Sequence, residues 1–291
     1  MRRIVVIILI CIAAFLTYVA VQIGDPDTAA ASTAADTNGI IVMSPAIAVI
    51  LTDLGLADRI VGRHAFDIVL EKTTPIAGDM NGFDYERLLR LQPTHIFLEQ
   101  SAQETPDRLR TLAADNGWTL HTLPLLALDD IPAAVELIAG IFPSDETQRS
   151  ADALVEGLHQ TMQPDPTIAS RAGRVLPLYW TNPPGAAGPG SFHYEILERL
   201  GYRMALTEGG PYITLDPEDI LRMDPDSILL LIPGADPDRL DGLLGPLANL
   251  DLRCVREGRV GVISHPLVNI PATSITGVVR EILFATSDWT P

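Results

Sequence analysis

The sequence is short of cysteine, of positive charge and of aromatic residues. Only Cys11 and Cys254 occur in 291 residues, and two cysteines so far apart cannot make a zinc knuckle, an iron–sulfur site or a disulfide framework. Lys and Arg number 20 against 37 Asp and Glu, for a formal net charge of −17. Without a basic surface to displace counterions from phosphates, nucleic acid is excluded as a partner. Aromatic residues make up 5% of the chain but hydrophobic residues 47%, too many for a disordered protein. Catalytic signatures are also missing. There is no Gly-x-Ser-x-Gly elbow and no His-Glu-x-x-His helix. Gly188-Pro189-Gly190-Ser191 lacks a P-loop lysine and reads as a turn with a capping serine. His193-Tyr194-Glu195 has no Pro-Cys-x-x-Cys after it, so it is not a zinc deaminase pair. The six histidines, His64, His95, His121, His159, His193 and His265, show no cluster of the kind a protein-bound zinc or manganese needs. Cys254 reads as a buried, inert thiol. An enzyme is not expected, nor is a resident metal or cofactor.

What the chain does have begins at its N-terminus. Arg2 and Arg3 precede an apolar run from Ile4 to Val21, which as a helix spans about 27 Å, close to a hydrocarbon core. The arginines hold that end in the cytoplasm and send the rest outward. The run is either a signal peptide or an uncleaved anchor, and its length favours the anchor. Cys11 lies inside the run behind Leu9 and Ile10, unlike a lipoprotein cysteine. Residues 24–38 are Ala, Thr, Asp and Ser without apolar periodicity, a flexible tether. The folded part is therefore expected on the periplasmic or extracytoplasmic face of the membrane, anchored there if residues 4–21 are retained.

An internal repeat organises the remainder. The segment from Glu86 to Leu98 aligns with that from Glu218 to Leu230, 132 positions on, with identity at six of thirteen positions. At the same offset Gly78 matches Gly210 and Asp84 matches Asp216. Each copy reads as a short helix, a proline-marked turn and a buried strand of parallel-sheet type. In the second copy Asp216 is a natural N-cap and Pro217 suits the first helical position. Strand-like segments 40–43, 59–61, 94–98 and 119–123 alternate with helical patterns at 45–54 and 106–116. A second series follows with strands at 174–180, 227–232 and 259–264 and helices at 191–200 and 273–285. Pro177 pushes the first of these strands toward a bulge or a sheet edge. The expected fold is α/β, with two Rossmann-like parallel-sheet lobes over residues 39–143 and 164–291.

Between the lobes, residues 144–163 read as one amphipathic helix. Ser144 caps it, Asp145 and Glu146 occupy the first turn, and Ala151, Leu154, Leu158 and Met162 form its apolar stripe. Pro164 and Pro166 end it. Two lobes joined by one helix leave a cleft, the usual place for a small ligand.

Several segments carry a family resemblance. They are Ile41-Val42-Met43-Ser44-Pro45-Ala46-Ile47, Leu54 to Gly62, the paired motifs Tyr85–Pro93 and Pro217–Pro225, and Arg256-Glu257-Gly258-Arg259-Val260-Gly261-Val262-Ile263. In this order, over residues 40–285, they resemble the ABC-importer substrate-binding proteins whose lobes are joined by one rigid helix. That class carries cobalamin, ferric siderophores and haem. Asn182-Pro183-Pro184 followed by a Gly-rich turn is most similar to its cobalamin-binding members. The resemblance implies capture of a small ligand between the lobes and delivery to an ABC permease. It also implies that Glu86 and Glu218 meet arginines on that permease, one from each lobe.

The ligand is expected among the loops at the C-terminal strand ends. These offer His64, Phe66, Met80, Phe83, Glu99, Trp180, Asn182, Tyr212, His265 and Asn269, with Asp79, Gln100 and Pro211 beside them. Tyr212 matches a cleft aromatic of the cobalamin-binding members. Met80 and Glu99 replace two others, and His265-Pro266-Leu267 departs from their acidic-aromatic pattern. Trp180, Phe66 and Tyr212 suit the face of a macrocycle. Arg63 is the one basic residue of these loops. Anionic siderophores usually call for several, and a near-neutral, amide-rich corrinoid fits better. Haem stays open through His64, His265 or Tyr212 as an axial ligand. A ligand sensor or scaffold of the same fold, feeding no transporter, is the alternative of a different class.

Overall fold

The computed structural model describes residues 39–289, which fall within one compact unit, residues 38–291. The apolar run at 4–21 and the tether at 24–38 lie outside the described residues. Among the described residues no helix is long and apolar enough to cross a membrane.

The chain opens with β1 (Ile40–Val42), whose three side chains are all buried. Ser44 then caps α1 (Pro45–Asp53), its hydroxyl accepting from the Ile47 N–H, with Pro45 in the first turn. Gly55, at φ +79°, ends the turn after the helix. There follow β2 (Ile60–His64), β3 (Ile76–Asp79), β4 (Gly82–Phe83), α2 (Tyr85–Leu91), β5 (His95–Leu98), α3 (Asp107–Asn116) and β6 (Thr119–Thr122). The first sheet has the order β4-β3-β2-β1-β5-β6, and only β4 runs against the others. Strands buried on both faces read as continuous apolar runs, which is why β1 and β5 were legible.

The next two helices are α4 (Asp130–Ile141) and α5 (Asp145–Thr161). Helix α4 has no counterpart in the sequence reading. It buries Ile131, Ala134, Val135, Ile138 and Ala139, and Pro132 stands in its first turn, where no N–H is needed. Helix α5 is the expected linking helix, capped by Ser144 at the Thr147 N–H (3.0 Å). Its single apolar stripe is divided between two cores. Ala151 and Leu154 pack with α1 and β1, whereas Leu158 and Met162 pack with the second half of the chain.

That second half comprises α6 (Ile168–Ala172), β7 (Arg174–Thr181), β8 (Pro184–Ala187), α7 (Phe192–Leu200), β9 (Arg203–Met204) and β10 (Tyr212–Thr214). It continues with α8 (Pro217–Met223), β11 (Ser227–Leu231), α9 (Leu240–Leu244), α10 (Arg253–Arg256), β12 (Val260–Ile263) and α11 (Ile275–Ala285). Its sheet has the order β10-β8-β7-β11-β12, with β9 beside the start of β7. Strand β7 is not at an edge. Pro177 sits in its middle, where its neighbour on one side changes from β9 to β8, and a register shift follows between Leu178 and Trp180. The chain is α/β with two sheets of mainly parallel strands joined by one helix.

The repeat is real in the backbone. Helices α2 and α8 are each seven residues long, each is N-capped by an aspartate (Asp84, Asp216), and each ends in a left-handed residue, Gln92 at φ 45° and Asp224 at φ 43°. Glu86 and Glu218 occupy the same second helical position, and both are exposed.

Connections other than α5 also cross between the halves. Leu128 and Ile131 enter the core beneath the second sheet, while Leu267, Ile270 and Ala272 pack against the core beneath the first. Arg199 of α7 pairs with Asp129 at 2.7 Å, and the Thr273 hydroxyl donates to Asp53.

Candidate functional site

The C-terminal strand ends of the two sheets bound a cleft of about 520 Å³. Glu99, just past β5, and Leu125, Leu126 and Ala127, between β6 and α4, line it on one side. On the other stand Tyr179 and Trp180 at the end of β7, the start of α7 from Gly190 to His193, and Pro211 with Tyr212 at β10. Asn269 and Pro271, after β12, complete it.

Adjacent residues in a regular strand point to opposite faces, yet Tyr179 and Trp180 both line the cleft. The register shift between Leu178 and Trp180 re-aims the chain there, as bulges do beside functional sites. Trp180 then lies against Gly185 of β8, so closely that a Cβ at Gly185 would stand 2.2 Å from its Cε2. Tyr179 is the centre of the aromatic wall, with ring centroids 5.7 Å from Trp180 and 5.5 Å from Tyr212. Trp180 is 48% exposed and Tyr212 71%, so both have surface to offer, while Tyr179 is buried behind them.

A polar relay holds Tyr179 in place. The His193 Nε2–H donates to the Val268 carbonyl (2.7 Å), so Nδ1 accepts from the Tyr179 hydroxyl (3.0 Å). Burial pushes the His193 imidazole down to about 4 and raises the Tyr179 phenol. The serine of the Gly188–Ser191 turn caps α7 at the Tyr194 N–H, as expected.

Glu99 is the acidic member of the lining. Its Oε2 accepts from the hydroxyl of Ser44, and burial raises its carboxyl above the usual range against that hydrogen bond. Among the described residues no Lys or Arg lines the cleft. Arg63, expected as its basic residue, is buried and turned to backbone carbonyls instead. It donates to Thr74 (3.1 Å), His64 (3.2 Å) and Lys72 (3.4 Å), fastening the 65–75 loop to β2.

Four of the ten expected ligand residues therefore meet in this cleft: Glu99, Trp180, Tyr212 and Asn269. The other six stand elsewhere. His64 is buried at the end of β2, its Nδ1 accepting from the Phe66 N–H at 3.2 Å. Phe66 and Met80 are exposed, at 63% and 79%, on the same sheet edge as Glu99 but outside the lining. Phe83, in β4, packs beside Tyr85 and borders a separate hollow of about 320 Å³ with Asp79. Asn182 is exposed in the β7–β8 turn. His265 accepts from the Leu267 N–H (3.2 Å), and its ring fills the space above Gly277 of α11.

Tyr179, Phe192, His193 and the 125–127 segment were not anticipated as lining. Pro177 was the available signal, since it marked β7 as irregular. Among the described residues no group of three or more His, Cys, Asp or Glu could hold a metal ion. His95 and His121 pair with each other at 2.9 Å, away from the cleft. Cys254 is buried, and its thiol is pushed up to about 11.

A family model described as periplasmic binding protein matches residues 40–264. The chain belongs to the periplasmic binding protein family. That places it in an extracytoplasmic family whose work is solute binding rather than catalysis. No curated protein matches the chain in sequence. Solved structures do match in fold. The periplasmic vitamin B12 binding protein of Vibrio cholerae aligns with a TM-score of 0.67 at 17% identity, over 86% of this chain and 96% of that one. The periplasmic heme binding protein of the same organism gives 0.63 at 19%, over 86% and 98%. The Fe3+-hydroxamate transport system structure from Saccharomonospora viridis gives 0.58 at 20%, over 87% and 94%. These likenesses concern the fold of this periplasmic binding protein.

Proposed function

We propose that this periplasmic binding protein captures a corrinoid, or a related near-neutral metal chelate, between its two lobes and hands it to an ABC permease. The observation that carries the reading is the composition of the cleft. Among the described residues an aromatic wall of Trp180, Tyr179 and Tyr212 faces a single carboxylate, and no Lys or Arg lines the space. Flat aromatic surface suits a macrocycle and loses little side-chain entropy on binding. A polyanionic siderophore or the propionates of haem would find no basic partner there. The vitamin B12 binding protein of V. cholerae shares the fold, as do the heme and Fe3+-hydroxamate structures, so the fold admits a corrinoid and the cleft lining is what favours it. Glu86 and Glu218, exposed at matching positions of α2 and α8, would dock the loaded protein. Two separated carboxylates can fix register and orientation on a basic surface.

Calorimetric titration with cyanocobalamin, haem and a ferric hydroxamate tests the ligand. Saturable one-to-one cobalamin binding, weakened by Tyr212→Ala or Trp180→Ala, is expected. Binding of haem or the hydroxamate alone would keep the fold and overturn the corrinoid. Silence with all three would put a sensor or scaffold role first.

A further inference from the structure

Glu99, the one carboxylate among the described residues of the cleft, is prepared as a hydrogen-bond acceptor. Ser44 is held twice over, because its oxygen accepts from the Ile47 N–H at 3.2 Å while its proton goes to Glu99 Oε2. The carboxylate is thereby fixed at the N-terminus of α1, where the helix dipole favours negative charge. Its second oxygen, Oε1, receives no hydrogen bond from any described residue, and the residue lines the cleft. Nothing else in the lining competes with this charge. His193 is neutral, both ring nitrogens being engaged by Tyr179 and Val268. Arg63 is bound to three carbonyls outside the lining. Glu99 is exposed toward the cleft, so its free oxygen is open to a ligand, while partial desolvation raises its carboxyl above the usual range.

We infer that Glu99 determines specificity by charge: its Oε1 accepts from a cationic or N–H-bearing group of the ligand, so the cleft favours a chelate with positive charge over its neutral counterpart and disfavours a carboxylate there. The inference deepens the proposed function and rests on the same cleft. A charge-assisted hydrogen bond to a partly desolvated carboxylate is strong enough to separate such a pair by about tenfold.

The test titrates the full chain with two pairs of probes that differ in charge more than in shape. One is aquacobalamin, which is cationic at neutral pH, against neutral cyanocobalamin. The other is ferrioxamine B, with its free ammonium, against its N-acetylated form. The cationic member is expected to bind about tenfold more tightly in whichever pair binds. Glu99→Gln, which keeps an oxygen for Ser44, should erase the difference between the members of the pair whatever it does to their common affinity, and Glu99→Asp should retain a preference for the cation. Equal binding within the pair, or a preference that survives Glu99→Gln with an unchanged melting temperature, overturns the inference. Failure of both corrinoids with retention of the hydroxamate pair overturns only the corrinoid reading, and Glu99 is then judged on that pair. If neither pair binds, both readings fall.

Discussion

The Tyr179 hydroxyl donates to His193 Nδ1 at 3.0 Å, and through the Val268 carbonyl this bond ties the aromatic wall to the segment carrying Asn269 and Pro271. The relay joins β7, the first turn of α7 and the chain after β12. Tyr179→Phe keeps the ring but leaves a buried imidazole nitrogen without its donor. We expect a loss of about 1–3 kcal/mol in urea unfolding with an unchanged m-value. Ligand affinity should fall as well, since two elements of the lining lose a common anchor. An unchanged unfolding midpoint would mean that the relay contributes nothing to stability.

The same histidine gives the fold a pH dependence of defined sign. In an unfolded chain histidine titrates near 6.5, whereas His193 in the fold titrates near about 4. Between those values the unfolded chain binds more protons. Stability present above the unfolded value is therefore lost as pH falls toward 4. The contribution of His193 is on the order of 3 kcal/mol once both values are passed. His121, also lowered to about 4 by burial, acts in the same direction. Urea midpoints should decline from pH 7 to pH 5, and His193→Gln should make that decline shallower. A variant as steep as the parent would assign the acid sensitivity to other groups.

Trp180 depends on the absence of a side chain at Gly185. Gly185→Ala would bring a methyl group within 2.2 Å of the indole, which is half exposed and free to swing outward. The strand pairing of Gly185 with Trp180 and Thr214 does not require glycine dihedrals. The expected result is a shift in tryptophan fluorescence and about a tenfold loss of corrinoid affinity, with little change in stability. Unaltered affinity would remove Trp180 from the binding wall.

The halves are joined in a way that limits closure. Besides α5, the chain crosses once at Leu128 and Ile131 and again at Leu267, Ile270 and Ala272, each segment packing into the opposite core. A hinge motion of large amplitude would have to pull apolar side chains from both cores. Small-angle scattering should give the same radius of gyration with and without saturating ligand. Breaking the exposed Arg199–Asp129 pair by Asp129→Asn should cost under about 1 kcal/mol and should not loosen the pair of lobes. A clear contraction on ligand binding would show that these crossings give way.

Much of this architecture was legible because the physics behind it is local. Continuous apolar runs marked β1, β5 and β11; Ser44, Ser144, Ser191 and Asp216 marked helix starts; the 132-residue offset marked equivalent helices. Strand β8 was not legible, since Pro184-Gly185-Ala186-Ala187 has neither β-branched residues nor alternation. Helix α4 buries Ile131, Ala134, Val135, Ile138 and Ala139 on one stripe, but apolar Ala133 and Leu137 on its exposed face blur that period in the sequence. The site was half legible for a related reason. The rule of C-terminal strand ends selects an edge of each sheet, which brought in Glu99, Trp180 and Tyr212. It does not say which part of that edge faces the other lobe, so His64, Phe66 and Met80 were included with them. Tyr179 escaped because only the irregular register of β7 turns it to the same side as Trp180.

Glu86 and Glu218 supply the sharpest separation between ligand capture and delivery. Each stands at the second position of a seven-residue helix, exposed, with the helix ends built alike at Asp84 and Gln92 in one copy and Asp216 and Asp224 in the other. Neither lines the cleft. Reversing both charges, Glu86→Arg with Glu218→Arg, should leave the fold and the corrinoid affinity intact, because both side chains are exposed outside the cleft and losing a first-turn acid costs only about 1 kcal/mol per helix. It should abolish uptake through the cognate permease, since like charges set against a basic surface cost several kcal/mol. Each single reversal should give partial loss, as two separate contacts fix orientation together. If the double variant binds ligand normally and uptake proceeds at the parental rate, the matched carboxylates are helix-surface residues without a docking role, and the sensor or scaffold reading gains the ground that transport loses.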